Sequence, residues 1–429
     1  MAIPDTTRRR LLKLVGGSSA LALMGVPIMS RASFKARVVI VGGGYGGATV
    51  AKYVRLTDPR IEVVLIEKKP KFISCALSNE VISGERSIES LTFAYTDLVN
   101  LYGVKVVHDE VVEIDPANKV VSTKSGKKLG YDRLVVAPGI GFRWDAIEGY
   151  GPTAAQVMPH AWSAGEQTLL LRQQIEAMPD GGTLIIVAPP NPYRCPPGPY
   201  ERASLIAHYL KTHGKGRSKI LILDAKDKFA KQPLFAQGWR DFYPGMISWV
   251  SRSQDGRVLR VDPQSKSVFT EFEQHKGDVV NVVPPQKAGP IAEIASLTDE
   301  NGWCPVDQRT FESSLHKDVH VIGDACIAGP MPKSAYAANT QAKVCAAAIV
   351  ALVNGTSPRE PSYVNACYSI IAPDYGISMT AVYRLKDGKI VSVKGAGGTS
   401  PIDASRWERK MEATYARSWF TNITSDIFG

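Results

Sequence analysis

Two sets of residues in this 429-residue chain could do chemistry: a glycine-rich turn near the start and six cysteines. Gly42-Gly43-Gly44-Tyr45-Gly46-Gly47 follows Val38-Val39-Ile40-Val41 and precedes Ala48-Thr49-Val50-Ala51-Lys52-Tyr53-Val54. Gly42, Gly44 and Gly47 therefore fit G-x-G-x-x-G between a strand and a helix. In that setting the glycines allow a tight turn, close backbone approach to a pyrophosphate, and close helix–strand packing. The helix N-terminus offers free N–H groups to the same pyrophosphate. Twenty residues after Gly47, Glu67 ends a second apolar run, Glu62-Val63-Val64-Leu65-Ile66. A carboxylate there accepts a hydrogen bond from a ribose hydroxyl. A purely structural glycine turn is the alternative, but it leaves the ordered strand, helix, strand and acid unexplained.

The cysteines divide by surroundings. None has C-x-x-C or C-x-x-C-H spacing, and the seven histidines include no H-E-x-x-H. No metal site and no covalent haem are therefore expected in this chain. Cys304, Cys326 and Cys345 lie among small or apolar residues and read as buried packing residues. Cys195, in Arg194-Cys195-Pro196, precedes a helix predicted over about 200–211. A cationic neighbour and a helix N-terminus favour its thiolate. Glu201, in the first turn of that helix, is either an acid–base group or a partner of the helix dipole. Cys367 sits in a Tyr-rich segment read as a loop, and Cys75 follows Phe72-Ile73-Ser74 just beyond the strand that ends at Glu67.

These residues need a scaffold, and two later segments indicate which. Tyr131-Asp132-Arg133-Leu134-Val135-Val136-Ala137-Pro138-Gly139 and His320-Val321-Ile322-Gly323-Asp324 are strands ending in small-residue turns. Both resemble fingerprints of flavoproteins with two dinucleotide-binding domains, and they point to FAD. Gly139 and Asp324 would join Gly42, Gly44, Gly47 and Glu67 in holding it. An alanine-rich helix from about 334 to 352 would aim its N-terminus at the flavin, with Lys333 assisting. Between these segments, Gly181-Gly182-Thr183-Leu184-Ile185-Ile186-Val187 opens a second strand of nucleotide-binding type. The turn after it reads Ala188-Pro189-Pro190-Asn191-Pro192-Tyr193-Arg194-Cys195-Pro196-Pro197-Gly198-Pro199. Prolines remove backbone donors and crowd a phosphate, so NAD(P)H binding is expected to be lost.

Composition sets the bounds. Apolar residues make up 44% and charged residues 21%, which excludes disorder, collagen and coiled coil and suits two or three domains. The formal charge of +10 carries no aromatic-interleaved basic stripe, so no nucleic-acid partner is expected. No apolar run reaches the roughly 18 residues of a spanning helix. The opening, Thr7-Arg8-Arg9-Arg10-Leu11-Leu12-Lys13, a short apolar stretch and Ser30-Arg31-Ala32, reads as a twin-arginine export signal over 1–32. The expected location is the periplasm, with cleavage near Ala32 and the cofactor loaded before export.

Gly42–Gly47, Ser74-Cys75 through Leu77-Ser78-Asn79-Glu80-Val81-Ile82, Arg194–Glu201, Asn301–Asp307, Gly323–Cys326 and Cys367–Ile370 together resemble the flavoprotein subunit of flavocytochrome c sulfide dehydrogenase. That family is related to the sulfide:quinone oxidoreductases. The resemblance covers essentially the whole chain after residue 32 and is most specific in Arg-Cys-Pro-Pro-Gly-Pro-Tyr-Glu. It implies an α/β fold in three parts. An FAD-binding Rossmann-like domain comes from 33–150 and 291–360; a degenerate NAD-binding-like domain, 151–290, carries Cys195; and a C-terminal α+β interface domain, 361–429, carries Cys367. It also implies a thioether from Cys75 to FAD, a redox-active Cys195–Cys367 disulfide, and Trp419 near the flavin. The implied activity is oxidation of hydrosulfide to elemental sulfur or polysulfide, with electrons passed to a separate c-type cytochrome subunit. Alternatives are a sulfide:quinone oxidoreductase, an NAD(P)H-dependent disulfide reductase, and a non-catalytic flavoprotein scaffold for a cytochrome. The tail from Pro401 to Gly429, one mixed helical stretch rich in Arg and Glu, argues against membrane delivery.

Overall fold

The computed structural model describes residues 34–429; the predicted signal segment, 1–32, lies outside the described residues. Strands Ala36–Val41 (β1), Ile61–Ile66 (β2) and Arg133–Val136 (β4) are valine- and isoleucine-rich and almost wholly buried; Lys105–Val107 (β3) is their shorter edge companion. With Val319–Val321 they make one all-parallel sheet in the order Val319–Val321, β4, β1, β2, β3. A parallel sheet is covered on both faces, which is why β1 and β2 show no polar alternation. Each buried Val or Ile there stabilises by about 1.5–3 kcal/mol. Helix α1 (Tyr45–Thr57) connects β1 to β2.

The chain leaves this sheet and builds a second one from Thr183–Ala188 (β5), Lys219–Asp224 (β6), Ile247–Val250 (β7) and Val279–Val282 (β8). These are parallel in the order β7-β6-β5-β8, with helices α2 (Gly198–Thr212) and α3 (Gln232–Phe242) between them. It then returns through Val319–Val321 (β9) into helix α4 (Ala335–Val353), which packs on α1. Ser334 caps α4 by accepting from the Ala337 N–H. An antiparallel meander follows, Ser362–Ala372 (β10), Tyr375–Lys386 (β11) and Lys389–Thr399 (β12), and helix α5 (Arg406–Phe428) packs across β10 and β11. Lys35–Gly429 form one compact unit.

Two sequence expectations need correction. Cys367 is in the middle of strand β10, opposite Met379, and not in a loop. Strand β10 exists because β11 pairs with it along its whole length, a partner that local composition does not reveal. Among the described residues, α4 is long and apolar enough to cross a membrane, with mean hydropathy 1.3, although 56% of that window is buried within the fold. Asn339, Thr340, Gln341 and Lys343 interrupt the alanines, so the segment does not read as one apolar stretch in the sequence.

Candidate active site

A cleft of about 690 Å³ runs between the first sheet, the Cys195 turn, β10 and α5. Gly42, Gly44, Glu67, Cys75, Gly139, Asp324, Cys195, Glu201, Cys367 and Trp419 all line it; Gly47 and Lys333 do not. The first glycine turn is built as its spacing requires. Gly42 has φ +97°, and a Cβ there would stand 2.4 Å from the Ala137 carbonyl oxygen. A Cβ on Gly47 would stand 1.9 Å from the Gly42 carbonyl oxygen, so this glycine serves the packing of α1 on β1. A Cβ on Gly44 would meet only Phe72, at 3.4 Å, leaving that side open to the cleft. Glu67 holds the turn by accepting from the Gly43 N–H at 2.7 Å.

The residues present fit FAD. No side chain caps α1 and no acid occupies its first turn, so its N–H groups remain for a phosphate. At the other wall the partly buried Asp324 has one buried carboxylate oxygen, Oδ1, with no partner among the described residues. Its other oxygen, Oδ2, lies 3.8 Å from Arg194 Nη1. Burial raises the Asp324 pKa, opposed by Arg194 and Lys333. An orphaned buried acceptor in a cleft calls for a donor, and a flavin's ribityl hydroxyls are donors of that kind. Trp419, stacked on Tyr336 at 6.2 Å between centroids, has an equally orphaned indole N–H.

Lys333 is placed differently from its expected role. Its ammonium donates to the Asp324 and Cys326 carbonyl oxygens, at 2.6 and 3.1 Å, and lies 3.7 Å from the Trp303 ring centroid. These partners hold it behind the cleft wall. Its carbonyl oxygen accepts from the Cys195 N–H at 2.8 Å, so it positions the cysteine turn through the backbone.

Cys195 has φ +58°, a left-handed conformation that costs a non-glycine residue about 1–2 kcal/mol. The turn after it is tight: a Cβ on Gly198 would come 3.2 Å from Cys195 Sγ and 2.7 Å from the Trp162 ring. The expected thiolate is not what this setting favours. Burial pushes the Cys195 thiol well above its ordinary pKa, and Cys367 and Glu201 push it further; Lys231 and Arg194 pull the other way without prevailing. The helix N-terminus and Arg194 were visible in the sequence, whereas the apolar enclosure was not. Cys195 and Cys367 stand as free thiols facing one cleft.

Glu201 is the joint of the site. Oε1 accepts from the Ile370 N–H of β10, and Oε2 accepts from Asn79 Nδ2, each at 2.8 Å. One carboxylate therefore ties the helix after Cys195 to the strand of Cys367 and to the short helix after Cys75. Burial raises its pKa, so it is neither a surface dipole partner nor a freely ionised acid. Asn79, Arg202 and Lys231 were not anticipated. Arg202, also buried, donates to Asn79 Oδ1, Asn281 Oδ1 and the carbonyls of His160 and Ala161. No spacing signal links these residues, because they come from separate elements.

Side chains pack around the C-terminal end of β6 in the second sheet. Asp224, at the end of β6, accepts from Tyr200 Oη, Trp249 Nε1 and Lys226 Nζ. Tyr200 stacks on Phe229 with centroids 3.6 Å apart.

Comparison with known proteins agrees with this architecture. Residues 168–284 match the family model described as sulfide dehydrogenase [flavocytochrome c] flavoprotein chain, central. Residues 359–428 match flavocytochrome c sulphide dehydrogenase, flavin-binding, and 36–170 match pyridine nucleotide-disulphide oxidoreductase. The sulfide dehydrogenase [flavocytochrome c] flavoprotein chain of Chlorobaculum thiosulfatiphilum is 58% identical over 45 residues, 10% of this chain and 94% of that sequence. The mitochondrial sulfide:quinone oxidoreductase of Mus musculus is 23% identical over 315 residues, 72% of this chain and 69% of that one. The structure of the Aquifex aeolicus sulfide:quinone oxidoreductase superposes with a TM-score of 0.72 at 18% identity, covering 91% of this chain and 92% of that one, which shows a shared fold. With its glycine turn, its three cleft-lining cysteines and these matches, the chain belongs to the flavocytochrome c sulfide dehydrogenase flavoprotein family, FAD-dependent sulfide oxidoreductases related to the sulfide:quinone oxidoreductases.

Proposed function

We propose that this chain oxidises hydrosulfide with a Cys195–Cys367 disulfide, carries FAD joined to Cys75, and hands electrons to a c-type cytochrome. The observation that carries the reading is that Cys195, on a turn of the second sheet, and Cys367, on a meander strand, face one cleft with Cys75 and the glycine turn. Hydrosulfide attacks one sulfur of the disulfide; a new S–S bond forms, the old one breaks, and its electron pair leaves on the other cysteine as a thiolate. The products are a persulfide on one cysteine and a thiolate on the other. A second hydrosulfide attacks the outer persulfide sulfur, that S–S bond breaks, HSS− is released and two reduced cysteines remain, whose re-oxidation to the disulfide gives up the two electrons that bound FAD would accept. Bound FAD supplies a two-electron acceptor that can return its electrons singly. Glu201 keeps the Cys195 turn and β10 in one geometry and offers a carboxyl group for the protons of the exchange. Cys75, whose Sγ lies 3.7 Å from the Trp162 carbonyl oxygen, lines the same wall.

A separate cytochrome is favoured over quinone because α5 lies against β10 and β11 and carries Arg406, Glu408, Arg409, Lys410, Glu412 and Arg417. The proline-rich turn after β5 and the side chains packed around Asp224 support a donor other than NAD(P)H. The predicted twin-arginine segment supports a periplasmic location, which N-terminal sequencing of the exported protein checks: it should begin near Ser33.

The test is anaerobic addition of sulfide to the purified protein. The flavin absorbance should bleach, and Cys195→Ser or Cys367→Ser should abolish bleaching. No bleaching of the unaltered protein leaves the scaffold reading. After acid precipitation, flavin should stay with the peptide containing Cys75, and reoxidation should be faster with cytochrome c than with a soluble quinone. Released flavin and faster reoxidation by quinone would instead support the quinone enzyme.

A further inference from the structure

Lys231 is a buried cation that the proposed exchange does not yet use. It is 5% exposed, has φ +61°, and occupies the N-cap of α3. Each property is locally unfavourable. A left-handed φ strains a non-glycine residue, a cation at a helix N-terminus opposes the dipole, and a buried ammonium is costly without a counter-charge. Its ammonium donates to Ser369 Oγ at 2.8 Å and to the Cys367 carbonyl oxygen at 3.1 Å, both neutral, and lies 3.8 Å from Cys367 Sγ. Among the described residues it makes no ion pair with a carboxylate. Of the other cations near the two cysteines, Arg194 has Asp324 as its counter-ion, and Arg202 is held by Asn79, Asn281 and the carbonyls of His160 and Ala161. The remaining ionisable groups around the pair are Glu201, held by Ile370 and Asn79, and the cysteines themselves. Glu201 is within Coulombic range of Lys231, which lowers its pKa against burial, but the ionisable group in contact with the ammonium is the sulfur of Cys367.

We propose that Lys231 holds the anionic sulfur carried by Cys367 during the exchange. This rests on the disulfide reading above. In the exchange, one hydrosulfide and one disulfide become one persulfide and one thiolate, with the single negative charge conserved. If Cys195 is attacked, Cys367 leaves as the thiolate. If Cys367 is attacked, it bears the persulfide, which ionises more readily than a thiol. In both cases an anionic sulfur lies against the Lys231 ammonium, and a charge that is costly in the resting fold becomes paired during turnover. Lys231 also lines a second cavity of about 550 Å³, with Phe229, Leu234 and Ile402, outside the flavin cleft.

The experiment compares alkylation of Cys367 by iodoacetate, an anion, and by neutral iodoacetamide. It uses the flavin-loaded protein reduced with dithiothreitol and desalted under nitrogen, with modification quantified by peptide mass spectrometry. The iodoacetate-to-iodoacetamide rate ratio at Cys367 should exceed that of glutathione by about tenfold, as a nearby desolvated cation requires. Lys231→Met should bring the ratio down to that of glutathione, and Lys231→Arg should keep it within about threefold of the unaltered protein. A ratio equal to that of glutathione in the unaltered protein overturns the proposal even if Lys231→Met does not fold. So does a folded Lys231→Met with an unchanged ratio, because a lysine that merely ties β10 through neutral oxygens would not set a charge preference. Bleaching by sulfide is read separately. Its absence, with the anionic preference intact, overturns the disulfide reading and with it the role of Lys231 in turnover. Bleaching without the preference overturns the Lys231 proposal alone.

Discussion

At the scale of single residues, the site depends on contacts with little room for change. A methyl group on Gly47 would overlap the Gly42 carbonyl oxygen at 1.9 Å, a backbone atom that cannot move aside without opening the turn. Gly47→Ala should therefore yield protein with little bound flavin, read from the ratio of visible to ultraviolet absorbance, and about 1–3 kcal/mol less stable. Glu201→Gln is a sharper test. The amide can still accept from the Ile370 N–H, but its NH2 then faces Asn79 Nδ2, whose own Oδ1 is taken by Arg202. The loss in stability should be about 1–3 kcal/mol. Sulfide-dependent flavin bleaching should slow by about a hundredfold if the carboxyl group handles protons. A variant that is less stable but bleaches at the normal rate would reduce Glu201 to a structural joint. Glu201 and Cys195 were visible as residues of interest from their place before and within a helix. Asn79, Arg202 and Lys231 were not, because only the packing of distant segments gives them partners.

At the scale of elements, α4 and β10 meet at Ser334. Its hydroxyl accepts from the Ala337 N–H at 3.1 Å and donates to Asn365 Oδ1 at 2.7 Å. It thus caps the helix that opens on the cleft and fastens it to the strand carrying Cys367. Ser334→Ala should cost about 1 kcal/mol for the cap, with about 1 kcal/mol more for the second bond. Urea denaturation of the flavin-loaded protein checks this, and an unchanged midpoint would show that water replaces both partners. The helix and its start were legible from the alanine run after Ser334. The fastening was not, since only pairing with the distant β11 makes a strand of β10.

At the scale of the whole molecule, acid should destabilise the fold before its carboxylates are protonated. His160 and His320 are buried, and burial lowers each pKa from 6.5 to about 4, with Arg202 and Arg194 adding to the effect at His160. Between those values the unfolded chain binds protons that the folded one refuses, so stability falls as pH falls through that window. Each histidine contributes about 3 kcal/mol to the loss once pH reaches about 4. Urea midpoints at pH 7, 5.5 and 4.5 should decline steadily, and His160→Gln should flatten the slope. A midpoint independent of pH over that range would contradict the burial of both rings.

The sequence by itself determined the strands buried on both faces, the glycine turn and the acid after it, and the loss of a second glycine turn. These are local patterns: a fully covered parallel strand needs only apolar residues, and a tight turn needs only glycine at set positions. Tertiary structure alone decided the rest. It made a strand of the segment carrying Cys367 by pairing it with β11, enclosed Cys195 so that burial outweighs Arg194, turned Lys333 behind the cleft wall, and set Lys231 against the Cys367 sulfur. Burial and charge pairing depend on which distant residues come together, and sequence spacing holds no record of that.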